Sequence, residues 1–255
     1  MAAARDVALF CLTDHDTWAG YEQTARVLDG QCVVLRGMEL SCREYDRTIH
    51  LLVYGLRPGP GLDALQTRID RIGEDRRDRI GRICKRLATL GVDLDPAPIL
   101  AAAEGRVPGR PDVAKALVKA GVCRNPREAF DRFLRDGGPA DAPIERLGVG
   151  DALELTRAAH ARVSLAHPHT LGHPSLVRDL FVRFRDRGLE GIEAFYGRYS
   201  RPDSAAWLGM AKELSLVPTG GSDFHGDLVP DVSRPVVDLP TPHVAPLLEW
   251  LDVAV

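Results

Sequence analysis

Short apolar runs rich in β-branched residues recur along the chain and are separated by polar turns that contain glycine. Runs of this length, bounded by turn residues, are typical of buried β-strands. The predicted strands are 7–13, 33–36, 48–54, 162–166, 190–195 and 215–219. Apolar residues at helical spacing predict helices among them, at 18–28, 151–160, 175–187 and 203–213. This alternation favours an α/β fold made of parallel β-α units.

The alternation is interrupted between residues 57 and 145, where the pattern predicts no strand. The segment follows LRPGPG and ends near GGPADAP, and helical patterns fill it. The predicted helices are 62–90, 96–103, 111–120 and 126–135. We therefore predict a helical insertion at 57–145 that divides the α/β domain into residues 1–56 and 146–255.

Composition narrows the function classes. The 255 residues are 45% hydrophobic, enough for one barrel or two smaller domains, and the net charge of −3 provides no basic surface for duplex DNA. Five cysteines without C-x-x-C spacing predict neither a disulfide framework nor a zinc-thiolate site. No apolar run reaches the roughly 18 residues of a membrane span, and the N-terminus lacks a signal-peptide pattern. We expect a cytoplasmic protein that does not bind membranes.

Ionisable residues lie at or just after the predicted strand ends, except His50 and Glu193, which lie within predicted strands. In a parallel barrel these ends open on one face, so residues distant in sequence would converge there. Neutral imidazoles and carboxylates suit Zn, Mn or Fe, and a carboxylate can bridge two ions about 4 Å apart. The residues in question are His15, Glu39, His50, His167, Glu193, Asp223 and His225.

Each motif taken alone allows a plainer interpretation. In TDHD, Asp14 or Asp16 could cap the helix that follows, and AHP at 166–168 could be an ordinary turn. GGSDFHG at 220–226 is more informative, because its glycines permit a sharp turn while Asp223 and His225 can point to one side. The remaining histidines, at 160, 169, 173 and 243, lie outside the motifs and are interpreted as loop positions, although His169 and His173 could line a pocket.

The ordered set of motifs resembles the PHP family, the polymerase and histidinol phosphatase phosphoesterases. The motifs are LTDHDT (12–17), LRGMELSC (35–42) with HLLVYGL (50–56), LAHP (165–168), GIEAFYGRYS (191–200) and TGGSDFHG (219–226). GRPDVAKALVKAGV and NPREAFDRFLRDGGPA in the insertion are similar to one subgroup of that family. That subgroup contains AMP phosphatases, nucleoside 3',5'-bisphosphate phosphatases and 5'-to-3' RNA exonucleases.

The resemblance implies a (β/α)7, TIM-like PHP barrel with an inserted helical subdomain and up to three divalent ions, Mn, Zn or Fe. The implied metal ligands are His15, Glu39, His50, His167, Asp223 and His225. Of these, His15, Glu39, His167 and Asp223 are the expected catalytic residues. Arg110, Arg198 and Tyr199 are expected to bind phosphate or sugar, with a surface or interface role as the alternative. The implied reaction is hydrolysis of a phosphate monoester of a nucleotide, or cleavage at the 5' end of short RNA.

Two features depart from the family pattern. Members usually begin with a strand that ends in His-x-His, whereas only seven residues precede Ala8, so we expect a barrel lacking its first strand and weaker occupancy of two of three metal positions. The usual GRPH reads GRPD, with Asp112 in place of His. Three hypotheses follow: a phosphoesterase whose sequence starts late or is truncated, a short variant that uses one ion or a partner's strand, and a degenerate protein that binds nucleotide with little or no turnover. The oligomeric state stays open.

Overall fold

The computed structural model describes residues 7–104, 107–144, 146–225, 232 and 236–254. Its strands are β1 (Leu9–Leu12), β2 (Val33–Glu44), β3 (Arg47–Tyr54), β4 (Leu147–Gly148), β5 (Arg162–Leu165), β6 (Leu189–Tyr196) and β7 (Val217–Gly221). Its α-helices are α1 (Tyr21–Val27), α2 (Pro60–Thr89), α3 (Pro96–Ala101), α4 (Arg110–Lys119), α5 (Pro126–Ala129), α6 (Val149–Ala158), α7 (Pro174–Phe184), α8 (Arg201–Leu214) and α9 (Thr241–Leu251). A π-helical turn, Phe130–Leu134, continues α5, and 3₁₀ turns occur at Pro168–Leu171 and Arg185–Arg187.

The strands form one mixed sheet in the order β1-β2-β3-β5-β6-β7, with β4 paired to β2. The sheet curls into a half barrel, which confirms the predicted incomplete α/β barrel. The expectation that its strands would all be parallel is wrong, because β3 is antiparallel to both β2 and β5. A two-residue turn connects β2 to β3, and two residues can join only antiparallel strands.

This β2–β3 hairpin also shows why the second strand is longer than predicted. Tyr45 and Asp46 form the turn with φ values of 51° and 56°, the positive values that a type I′ hairpin turn requires. The usual Asn-Gly or Asp-Gly signal for such a turn is missing here. The predicted strand stopped at residue 36 because polar residues such as Glu39 and Ser41 interrupt the apolar pattern. The strand nevertheless continues through both residues to Glu44.

Two compact units make up the chain: residues 1–65 with 147–255, and residues 66–146. The second unit is helical in its described part and has its own apolar core. Helix α2, which covers most of the helix predicted at 62–90, supplies Ile80, Ile83 and Leu87 to that core, and all three are fully buried. Amphipathic spacing in α2 thus gives an apolar face to pack and leaves the charged positions for the opposite face.

Helix α9 is an element that the apolar pattern did not predict. Pro242 and Pro246 lie within its TPHVAPLLEWL sequence, and proline ordinarily argues against a helix interior. The helix forms because Leu247, Trp250 and Leu251 pack against the sheet of the first unit, on the face that carries Leu52 and Tyr54. The indole N–H of Trp250 also donates to Glu190 Oε2 at 2.7 Å. Tertiary packing here outweighs local propensity.

Two sequence-based exclusions can be compared with the described residues. None of the helices there is long and apolar enough to cross a membrane. The five cysteines, Cys11, Cys32, Cys42, Cys84 and Cys123, are free thiols.

The core of the helical unit provides a stability test. Leu117→Ala removes a fully buried side chain from α4 and should lower the free energy of unfolding by about 2–5 kcal/mol in urea titrations. Leu90→Ala is the matched control, since Leu90 is 46% exposed, and it should change that free energy by less than about 0.5 kcal/mol. Equal losses in the two variants would contradict the described core.

Candidate metal centre

His15 is held beside Glu39 by backbone pairing between residues 14–16 and β2. The N–H of Glu39 donates to the carbonyl of Asp14 at 3.0 Å, and the N–H of Asp16 donates to the carbonyl of Glu39 at 2.9 Å. The Asp16 carboxylate is fully buried and accepts the N–H of Ser41 at 2.7 Å. The alternative interpretation of TDHD as a helix cap is therefore wrong, since α1 begins at Tyr21 without a side-chain cap.

His50 reaches the same carboxylate from the neighbouring strand. In the β2–β3 hairpin, Ser41 pairs with His50 and Glu39 pairs with Leu52. Glu39 and Ser41 share one face because side chains alternate along a strand, so the His50 ring lies diagonally across from Glu39. Its Nδ1 atom lies 2.8 Å from Glu39 Oε1.

His167 completes the group from the end of β5. Its Nε2 atom lies 3.0 Å from Glu39 Oε1 and 3.2 Å from His50 Nδ1. The His167 backbone has φ 25° and ψ 63°, an uncommon conformation for a residue other than glycine. This turn at the strand end directs the ring back toward β2.

The four side chains suit a divalent cation. Ligand atoms of His15, Glu39 and His50 all lie within 4.8 Å of one another. His50 Nδ1, His167 Nε2 and Glu39 Oε1 are mutually 2.8–3.2 Å apart. Zinc–nitrogen distances of about 2.0–2.1 Å separate tetrahedral ligand atoms by roughly 3.4 Å, so small shifts would accommodate an ion.

The charge of the Glu39 carboxylate favours a cation among the four side chains. Burial raises the pKa of Glu39, but hydrogen bonds to His167 and His50 outweigh this effect and hold the pKa well below its usual range. Burial lowers the pKa of His167, but the bond to Glu39 outweighs it, and the net pKa is raised. Both shifts arise because a buried carboxylate favours cations around it, and a metal ion is such a cation.

Asp223 and His225 form a second pair after β7. His225 Nδ1 lies 3.2 Å from Asp223 Oδ1, and the rings of His225 and His15 are 5.8 Å apart between centroids. The hydroxyl of Tyr196 donates to Asp223 Oδ2 at 2.7 Å. The structure therefore places all six predicted ligands in one region, while Gly226 of the same motif lies outside the described residues.

The predicted substrate-binding residues lie in different places. Tyr199 has its hydroxyl 2.9 Å from His169 Nδ1, and the Arg198 guanidinium lies 5.9 Å from the centre of the Tyr196 ring. These residues belong to the unit that holds the predicted ligands. Arg110 belongs to the helical unit, where it donates to the Leu134 carbonyl at 2.9 Å and to Asp136 at 2.7 Å.

Asp112 has a structural role in its own helix. Its carboxylate accepts the N–H of Gly109 at 2.9 Å, close to the first turn of α4. An acid at this position satisfies a backbone donor at the helix start and interacts favourably with the helix dipole.

Sequence reasoning gave no definite role to three residues of this region, His169, Glu193 and Tyr196. His169, interpreted as a loop position, packs with Tyr196 and Tyr199 at centroid distances of 5.4 and 5.2 Å. Glu193 was noted in its strand but given no role, and its Oε2 accepts the N–H of His167 at 2.6 Å. Burial raises the pKa of Glu193 to about 8. The signal for these residues was their place in LAHPH and GIEAFYGRYS, between the predicted ligand segments.

Comparison with known proteins gives relatives of similar length. No family model matches the chain. A 3',5'-nucleoside bisphosphate phosphatase of Chromobacterium violaceum is 28% identical over 88% of this chain and 79% of its own. A phosphoribosyl 1,2-cyclic phosphate 1,2-diphosphodiesterase of Eggerthella lenta is 29% identical over 88% and 86%. A 5'-3' exoribonuclease of Haemophilus influenzae is 29% identical over 88% and 81%.

Solved structures share the fold. A Chromobacterium violaceum amidohydrolase with bound sulfate superposes with a TM-score of 0.84 at 27% identity, over 98% of this chain and 88% of that one. These similarities support the resemblance to PHP phosphoesterases that the sequence motifs carry. A second structure, of a Bifidobacterium adolescentis protein at 24% identity and a TM-score of 0.81, shares this fold over 98% of this chain and 88% of its own.

The convergence of the predicted ligands predicts measurable ion binding. Isothermal titration of metal-free protein with Zn²⁺ or Mn²⁺ should detect binding that Glu39→Gln weakens at least about tenfold, because the variant removes the central charge. His160→Asn is the matched control: His160 is exposed after α6 with φ 56°, a conformation that Asn tolerates, and its binding should equal wild type. Unchanged binding in Glu39→Gln would show that the ion lies elsewhere.

Proposed function

We propose that this PHP protein is a metal-dependent phosphoesterase that acts on a nucleotide or on the 5' end of short RNA. AMP and nucleoside 3',5'-bisphosphates are the proposed monoester substrates. The proposal rests on one observation: His15, His50 and His167, which are distant in sequence, converge on the buried carboxylate of Glu39. The names of the relatives support the substrate class, since they include a bisphosphate phosphatase and an exoribonuclease.

In this proposal the residues of the centre hold ions and orient substrate. Glu39 is the central carboxylate, His15, His50 and His167 surround it, and Asp223 with His225 form a neighbouring pair. When bound, divalent ions polarise a phosphoryl oxygen and lower the pKa of a bound water. The donor set of imidazoles and carboxylates suits Mn, Zn or Fe.

The phosphate and sugar contacts belong to the same proposal. Arg198 offers a guanidinium, which matches phosphate oxygens in geometry and charge. Tyr199 and His169 offer aromatic surface and polar atoms next to His167, whose ring centroid is 6.3 Å from that of His169. Arg110 is proposed as a further phosphate contact. We also propose that the enzyme is cytoplasmic and binds neither duplex DNA nor membranes. The net charge of −3 supports the absence of duplex DNA binding.

Substrate turnover tests this proposal directly. Wild-type protein with Mn²⁺ should release phosphate or mononucleotide from at least one of three compounds: a nucleoside 3',5'-bisphosphate, AMP, or a 5'-phosphorylated trinucleotide RNA. His167→Ala should lower kcat/KM at least about 100-fold, roughly 2.7 kcal/mol, because it removes a ligand of the centre. Products are resolved by ion-exchange chromatography.

A control distinguishes this loss from general damage. His160→Asn should retain wild-type kcat/KM, because His160 is exposed and away from the motifs. Turnover that persists in His167→Ala would contradict the proposed centre, and binding without turnover of all three compounds would contradict the proposed activity.

A further inference from the structure

Strand β6 supplies none of the predicted ligands, yet its side chains contact the ligand segments on both sides of it. Glu193 Oε2 accepts the backbone N–H of His167 at 2.6 Å, at the end of β5. Tyr196 O–H donates to Asp223 Oδ2 at 2.7 Å, after β7. Because β6 lies between β5 and β7 in the sheet, it contacts both ligand segments at once.

A bulge in β6 makes this double contact possible. Glu193 pairs with Thr219 and Phe195 pairs with Gly220, so Ala194 is an extra residue on the β6 side. Residues three apart on a regular strand face opposite sides of a sheet. An inserted residue reverses the alternation, so Glu193 and Tyr196 both contact the ligand side.

The ligand segments need such support because of their backbone conformation. His167 has φ 25° and Asp223 has φ 51°, both positive and neither a glycine. Such conformations cost on the order of 1–3 kcal/mol and persist only where surrounding contacts hold them. The bond to the His167 N–H acts on the backbone of the strained residue itself, and the bond to Asp223 fixes its carboxylate.

Gly221 leaves room for Glu193. A Cβ atom at this position would lie 2.6 Å from Glu193 Oε1, closer than any packing allows. The φ of Gly221 does not itself demand glycine, so space explains the residue better than conformation does. Buried Ser164 and Thr219, whose hydroxyls are 2.7 Å apart, connect the two strands that flank β6.

We propose that Glu193 and Tyr196 are positioning residues of the metal centre, which hold His167 and Asp223 in place from the bulged strand β6. The inference rests on the proposed function, since it needs an ion at these ligands. Positioning residues of this kind typically change metal affinity or activity 10–100-fold when they are removed.

The test measures Mn²⁺ affinity of metal-free protein by isothermal titration, together with kcat and KM. Glu193→Ala should weaken Mn²⁺ binding about 10–100-fold, and Tyr196→Phe about tenfold. Glu193→Gln should restore binding to within about threefold of wild type, because its amide oxygen can accept the same N–H bond. Glu193→Asp keeps the carboxylate but shortens the side chain, so its Mn²⁺ affinity should resemble that of Glu193→Ala.

Glu190→Ala is the matched control on the same strand. Glu190 accepts from Trp250 at 2.7 Å and from Arg162 at 3.3 Å, so this variant loses two hydrogen bonds but none to a ligand segment. Its Mn²⁺ affinity should equal wild type even if its melting temperature falls. Wild-type affinity in Glu193→Asp and Tyr196→Phe, or equal affinity losses in Glu190→Ala, would overturn the positioning role while leaving the proposed function intact. Absence of Mn²⁺ binding by the wild type would overturn the proposed function, and this inference with it.

Discussion

The buried carboxylate of Glu39 is the interaction on which the candidate centre depends. Burying an isolated carboxylate is costly, and a fold tolerates it only where cations or hydrogen bonds compensate. Three imidazoles meet that need here, with nitrogen atoms 2.8, 3.0 and 3.6 Å from its oxygens. The same arrangement that stabilises the carboxylate prepares the position of a divalent ion, so the stability of the site and its proposed chemistry have one cause.

Each part of the half barrel contributes to that arrangement. The antiparallel hairpin puts His50 diagonally across from Glu39, and pairing of residues 14–16 with β2 brings His15 to the other side. The turn after β5 directs His167 toward the same oxygen. A sheet of parallel strands alone would place ligands only at strand ends, whereas β3 presents His50 from within a strand.

Much of this could be predicted from the sequence, and the failures have physical reasons. Apolar runs marked most strands, and the order of His and carboxylate motifs indicated the PHP family and its ligands before any geometry was known. The hairpin was missed because Tyr45 and Asp46 lack the usual turn residues, and α9 because prolines mask a helix that packing stabilises. The roles of Glu193 and Tyr196 depend on a bulge, and a single extra residue leaves no distinctive pattern in a sequence.

The most direct test of the account is the position of a bound ion. A crystal grown from protein loaded with Mn²⁺ should give an anomalous difference peak within about 2.0–2.3 Å of a Glu39 carboxylate oxygen and of at least two of the nitrogens of His15, His50 and His167. An anomalous peak away from Glu39, with this carboxylate still bonded only to the imidazoles, would contradict the central claim.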